Sequence, residues 1–174
     1  MEPGRTTHSC RDSGLHARAG SPWSLLLIVG VGLAVLMPHI STRALMDVDE
    51  SRCALITKTM VSSGDWLVPR LNGQPYFKKP PLLFWLAGTF ERLGVPGPAA
   101  GRLVSVLATV LVALLTYDLA RRWWNPTTAL RAALILLTTV GTFLMGNFYR
   151  MEMLLVLCVT FCLWCFCRGE SAPE

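Results

Sequence analysis

Residues 23–40 read WSLLLIVGVGLAVLMPHI, a run with no acid, lysine or arginine. As a helix it spans roughly 27 Å at 1.5 Å per residue, close to the ~30 Å hydrocarbon core of a bilayer. Three more apolar runs follow, at about 99–119, 127–145 and 151–167. The pattern implies an all-α, polytopic membrane protein with about four transmembrane helices. A cleaved signal peptide ending near Thr42-Arg43-Ala44 is the competing reading of the first run, and the later runs favour a retained helix. Composition agrees. The 174 residues are 52% hydrophobic and only 16% charged, against roughly a quarter charged in soluble domains. An ordinary soluble domain and a disordered chain are both excluded.

The net charge of +5 is not gathered in a basic block. Lysines and arginines flank the apolar runs and populate one loop, which suits membrane topology rather than nucleic acid. Arg121-Arg122-Trp123-Trp124 reads as a cytoplasmic interface. The expected organisation is a cytoplasmic tail over 1–22, a membrane module over 23–167 with an outer loop at 41–98, and a cytoplasmic tail over 168–174. Four of the six cysteines, Cys158, Cys162, Cys165 and Cys167, sit in the last run. Without a second pair or a histidine nearby they read as small buried hydrophobes rather than a zinc or redox site. Cys10 and Cys53 fall on opposite sides of the membrane, so no disulfide framework is expected.

The loop carries the polar chemistry. Asp47 or Asp49 is placed to cap a short helix. Cys53, Ile56 and Met60 recur at helical spacing, as in a helix lying on the membrane surface. Ser63-Gly64-Asp65 and Asn72-Gly73 signal turns, and Pro80-Pro81 open a second short interfacial helix. An acidic cluster (Asp47, Asp49, Glu50) and a basic one (Arg52, Lys78, Lys79) share this loop. Glu152 stands just inside the outer end of the last run, where an acid is costly and marks a candidate site or is a solvated residue favoured by the dipole at a helix N-terminus. Asp118 reads as an ion-pair partner of Arg121 and Arg122 one turn away, and His39 as an interfacial structural residue.

The string DESRCALITKTMVSSGDWLVPRLNGQPYFKKPPLLFWL, residues 49–86, closely resembles a signature of GT-C membrane glycosyltransferases. The resemblance is nearest to the bacterial aminoarabinose (lipid A) transferases and the protein-mannosyltransferase-like group. Those proteins read D-E-x-R-Y-A and then S-G-D-W-x-x-P-x-x-N-G-x-P-Y-F-E-K-P-P-L after the first membrane helix. Further on, AAGRL, DLARR and RMEMLL resemble the family's A-A-R-L, L-A-R-R and R-x-D-M-L-L. The likeness runs from about residue 24 to 167. It implies the N-terminal part of a GT-C fold in a bacterial cytoplasmic membrane, with its active face outside the cytoplasm. The implied activity moves a sugar from a polyprenyl-phosphate-linked donor to a lipid A-like, glycan or protein acceptor.

By the same resemblance Asp49 matches the general base, and Glu152 matches a second acid that positions substrate or a catalytic group. Arg52 and Lys79 match the motif's Arg and Lys, and both suit the lipid phosphate. Glu50, Tyr76 and Lys78 are expected to line the site. The implied partners are membrane lipids, the lipid-linked donor and the acceptor. No metal ligand is assigned, because no dedicated metal spacing appears. Three positions depart from the family pattern: Lys78 stands for Glu, Cys53 for Tyr and Glu152 for Asp. Family members continue through many further helices, so this chain alone is expected to be inactive. The alternative is a non-catalytic membrane remnant or accessory subunit that keeps the first module.

Overall fold

The computed structural model of the protein describes residues 21–45 and 47–170. Cys10 and most of both expected tails lie outside the described residues, as does the side chain of His39. The helices are α1 (Pro22–Leu36), α2 (Val48–Ser63), α3 (Leu82–Arg92), α4 (Gly97–Trp123), α5 (Pro126–Thr138), α6 (Val140–Asn147) and α7 (Glu152–Gly169). Between α2 and α3 lies a hairpin, β1 (Arg70–Leu71) paired antiparallel with β2 (Gln74–Pro75).

Helix α4 is the axis of the fold. Proline in its first turn and Arg121 and Arg122 in its last suit the two ends of a helix, and it runs for 27 residues. Its buried positions are mostly small or β-branched: Ala100, Gly101, Val104, Ser105, Ala108, Thr109, Val112 and Ala113. Small residues let neighbouring backbones approach closely, which is how membrane helices associate without a strong hydrophobic drive. Helices α1, α2, α3, α5, α6 and α7 all pack on it.

The four apolar runs are helical but differ in kind. By length and composition α4 and α7 can each cross a membrane. Helices α5 and α6 make a third candidate only as a pair, bent by 59°. The break is at Thr139, whose backbone is extended (φ −64°, ψ 132°). The hydroxyls of Thr138 and Thr139 bond back to the carbonyls of Leu134 and Ile135, a competition that bends helices. Helix α1 is shorter, 15 residues, and passes into a 3-10 turn over Met37–His39.

The loop elements form as their residues dictate. Asp47 is the N-cap of α2, its carboxylate accepting from the Asp49 amide. Gly64 ends α2 in the left-handed region, where glycine pays no Cβ penalty. Asn72 and Gly73 both have positive φ (52° and 79°), the requirement of a two-residue hairpin turn. Helix α2 is not merely laid on a surface: Cys53, Ile56, Thr57 and Met60 are buried. The first, second and last of these share a cluster with Tyr76, Leu83, Phe84 and Tyr149. Trp85 Nε1 ties α3 back to the Trp66 carbonyl.

The cysteines of α7 depart from the expected burial. Cys158, Cys162 and Cys165 are exposed on α7 rather than buried, because Met153 is the one buried residue of that helix. Asp118 does pair with Arg121 and Arg122. It also accepts from Trp164 Nε1 at 2.8 Å, which joins α4 to α7.

At Gly101 the ring of Tyr149 occupies the space a side chain would need. A Cβ there would overlap the Tyr149 ring, and the ring is held by a hydroxyl contact with Thr57. Gly101→Ala is therefore expected to cost about 1–3 kcal/mol, the usual scale of overpacking. A lowered melting temperature of the detergent-solubilised protein checks it.

Candidate active site

The site begins with the cap of α2. Once Asp47 fixes the first turn, Asp49 and Glu50 lie on different sides of it. Asp49 is partly exposed and Glu50 is wholly buried. Arg52, three residues on, places Nη1 3.0 Å from Asp49 Oδ1. Lys79, carried by the stretch after β2, places Nζ 3.5 Å from Asp49 Oδ2. The carboxylate is thus held between two cations. Its side chain is 37% exposed and that of Lys79 only 16%.

Lys79 Nζ also lies 3.9 Å from Cys53 Sγ. Burial pushes the Cys53 thiol above its ordinary value, partly opposed by Lys79, while Asp49 and Glu152 add to the rise. Glu152 is therefore electrostatically in reach of the same spot. It starts α7, its side chain is 44% exposed, and its Oε1 is 3.8 Å from Arg150 Nη1. Its Oε2 is shielded with no partner among the described residues. Arg150 also pairs with Asp47. Asp49 and Arg52 on α2 and Lys79 after β2 come together at one end of the helices, and Glu152 at the start of α7 acts electrostatically on Cys53 beside them.

The other expected residues fall differently. Glu50 does not line the cluster: Arg102 Nε and Nη2 each donate to it at 3.3 Å, and the Tyr149 amide donates at 2.8 Å. Tyr76 is 9% exposed and belongs to the packed cluster around Cys53. Lys78 is exposed beside Lys79.

Residues not singled out beforehand complete the frame. Arg102, fully buried on α4, donates to the carbonyls of Ile40, Arg43 and Ala44 as well as to Glu50. It fastens the segment after α1, the start of α2 and α4 together. Ser105, one turn along α4, donates to the Phe148 carbonyl at 2.7 Å and so holds the approach to Glu152. Burial pushes the Tyr149 phenol well above its ordinary value, against the lowering effect of Thr57. An arginine inside an apolar run was the available signal for Arg102. Among the described residues no group of three or more His, Cys, Asp or Glu side chains is arranged to hold a metal ion.

Comparison with known proteins bears on this arrangement. The family model described as dolichyl-phosphate-mannose-protein mannosyltransferase matches residues 78–173. The undecaprenyl phosphate-alpha-4-amino-4-deoxy-L-arabinose arabinosyl transferase of Edwardsiella ictaluri is 37% identical over 153 residues, 87% of this chain and 27% of that protein. The enzyme of the same name from Pseudomonas paraeruginosa is 41% identical over 114 residues, 65% of this chain and 20% of that protein. Among solved structures, ArnT from Cupriavidus metallidurans bound to undecaprenyl phosphate superposes with a TM-score of 0.75 at 30% identity. It covers 83% of this chain and 27% of its own. The chain thus spans about a quarter of the length of these relatives. The fold is that of a polytopic GT-C membrane protein resembling the aminoarabinose transferases, and the chain belongs to the dolichyl-phosphate-mannose-protein mannosyltransferase family.

Proposed function

We propose that this chain carries the donor-phosphate and general-base part of a glycosyltransferase that uses a polyprenyl-phosphate-linked sugar. The observation that supports it best is Asp49 held between Arg52 and Lys79, with Glu152 nearby. The names of the relatives, undecaprenyl-phosphate aminoarabinose transferases, and the lipid phosphate bound in the solved neighbour supply the donor class. Sugar identity and acceptor, lipid A-like or otherwise, are part of the proposal. So is a non-cytoplasmic site, which the Arg121-Arg122-Trp123-Trp124 interface at the other end of α4 supports.

The chemistry follows from the charges. A lipid phosphate entering between Arg52 and Lys79 competes with Asp49 for both cations, since charge-assisted bonds to phosphate are strong. Asp49 is thereby freed to accept a proton. The acceptor O–H gives that proton to Asp49 while its oxygen attacks the anomeric carbon. The bond from that carbon to the phosphate oxygen breaks, and its electron pair leaves with the phosphate. Arg52 and Lys79 stabilise the charge that builds there. Glu152 orients the acceptor, with Arg150 fixing its carboxylate.

Lys79→Ala is expected to weaken undecaprenyl phosphate binding about tenfold or more, the loss of one charge-assisted contact. Equilibrium binding to the protein in its native membranes measures it. Unchanged affinity would remove Lys79 from the donor site and favour the non-catalytic reading.

A further inference from the structure

Helix α3 has two unlike faces. Leu83, Phe84, Ala87 and Gly88 are buried. Leu82, Trp85, Leu86, Thr89 and Leu93 recur at helical spacing on the other side and are exposed. A contiguous apolar stripe of this kind marks a contact surface. At its far end the stripe meets an open hollow of about 390 Å³, lined by Trp66, Thr89, Arg92 and Leu93. The Trp66 ring is wedged between two turns of α3. A side chain at Gly88 would meet its Cη2 at 3.0 Å, and Arg92 Cζ lies 4.7 Å from the ring centroid. Stacking fixes the plane of that guanidinium and leaves its edge to recognise an anion. Arg92 is exposed and has no carboxylate partner among the described residues. Its neighbour Glu91 turns instead toward Gly97, at the start of α4. None of the lining residues is acidic.

The level of the hollow follows from α4. Its 27 residues make roughly 40 Å of helix, the thickness of a bilayer with its headgroups. Both ends of α4 therefore stand at headgroup level. Arg121 and Arg122 lie at one end, and Leu93–Pro96 join α3 to the other. Arg92 is thus placed among lipid headgroups, with the apolar stripe running from it along α3.

We propose that the hollow formed by Trp66, Thr89, Arg92 and Leu93 binds an anionic phospholipid of the surrounding leaflet, a phosphodiester with an uncharged, hydroxylated headgroup. Arg92 donates to the phosphate, and an acyl chain lies along Leu86, Trp85 and Leu82. The Thr89 hydroxyl already donates to the Trp85 carbonyl at 2.8 Å, so its oxygen accepts from a headgroup hydroxyl. With one cation and no acid in the lining, an anionic lipid is matched in charge and a zwitterionic one is not. The site is separate from Arg52 and Lys79. Helix α3 starts just after Lys79-Pro80-Pro81, so a lipid fastened at its far end holds that segment at a set height in the membrane.

Short-chain phosphatidylglycerol is the probe, with phosphatidylcholine of the same chain length as the control. Binding is measured on the detergent-purified protein. The wild type is expected to bind phosphatidylglycerol about tenfold tighter, the worth of one charge-assisted contact. Arg92→Gln should erase that preference and leave undecaprenyl phosphate binding unchanged, which also reports an intact fold. Arg92→Lys, which keeps the charge without the fork, should fall between. Thr89→Val, which keeps the volume, should weaken phosphatidylglycerol about threefold, the loss of one neutral hydrogen bond. Equal binding of the two lipids by the wild type would overturn the site. So would a full preference surviving in Arg92→Gln and Thr89→Val. Glycerol 1-phosphate binding as tightly as phosphatidylglycerol would assign the hollow to a soluble phosphate and overturn the lipid. Displacement of phosphatidylglycerol by undecaprenyl phosphate would put it in the donor site and overturn a separate place.

Discussion

In a full-length enzyme that carries this module, Asp49→Asn is expected to lower sugar transfer about a thousandfold, within the range that a positioned general base contributes. The substitution is nearly isosteric. Its amide oxygen still accepts from Arg52, whose Nη1 is 3.0 Å from the present carboxylate, so α2 and its neighbours stay in place. What disappears is the ability to take a proton from the acceptor. Loss should therefore fall on the rate of the chemical step, with undecaprenyl phosphate affinity equal to or above that of the wild type. Removing the carboxylate charge removes the competitor for Arg52 and Lys79, so tighter phosphate binding with slower transfer is the distinctive result. Single-turnover transfer and donor binding, measured in the same native membranes, give both numbers. Transfer at the wild-type rate would sink the assignment of Asp49 as base.

Arg102→Met is expected to destabilise the protein by about 3–5 kcal/mol, the scale for leaving one member of a buried ion pair alone. Arg102 and Glu50 are 1% and 0% exposed, so water cannot replace the lost partner. The same change strips donors from the carbonyls of Ile40, Arg43 and Ala44. The double variant Glu50→Gln with Arg102→Met should recover part of the loss, because no uncompensated charge remains. It should not recover all, because those carbonyls stay unbonded. Thermal denaturation in detergent gives the ranking: wild type, then double variant, then Arg102→Met. A single variant as stable as the wild type would show that the pair does not hold the frame.

Much of this is legible in the sequence. The apolar runs located the helices because length and freedom from charge are what a bilayer requires. The cap, the αL glycine and the Asn-Gly turn appeared where local chemistry placed them. Asp49, Arg52 and Lys79 were reachable through the resemblance of one loop and Glu152 through that of RMEMLL, and the fold pairs the first three. Their roles remain proposals. Side-chain direction within one turn was not legible. Adjacent Asp49 and Glu50 look alike in sequence, and only the packing of α2 against α4 and Tyr149 sends one outward and the other inside. The break at Thr139 was hidden too, because neither proline nor charge interrupts the apolar run there. Nor does periodicity show which face of α7 meets α4, so the exposure of its cysteines has no signal in the apolar run.

Glu50 also has a consequence for how the protein is made. Its carboxylate bonds to the backbone of Tyr149, 99 residues later. At ordinary synthesis rates of about 5–20 residues per second, roughly 5–20 s separate the two leaving the ribosome. During that interval the acid can find Arg102, but its bond to the later backbone must wait for the segment between α6 and α7. Assembly of the reacting centre is thereby timed by translation, and a chain halted before residue 149 leaves the membrane insertion machinery without it.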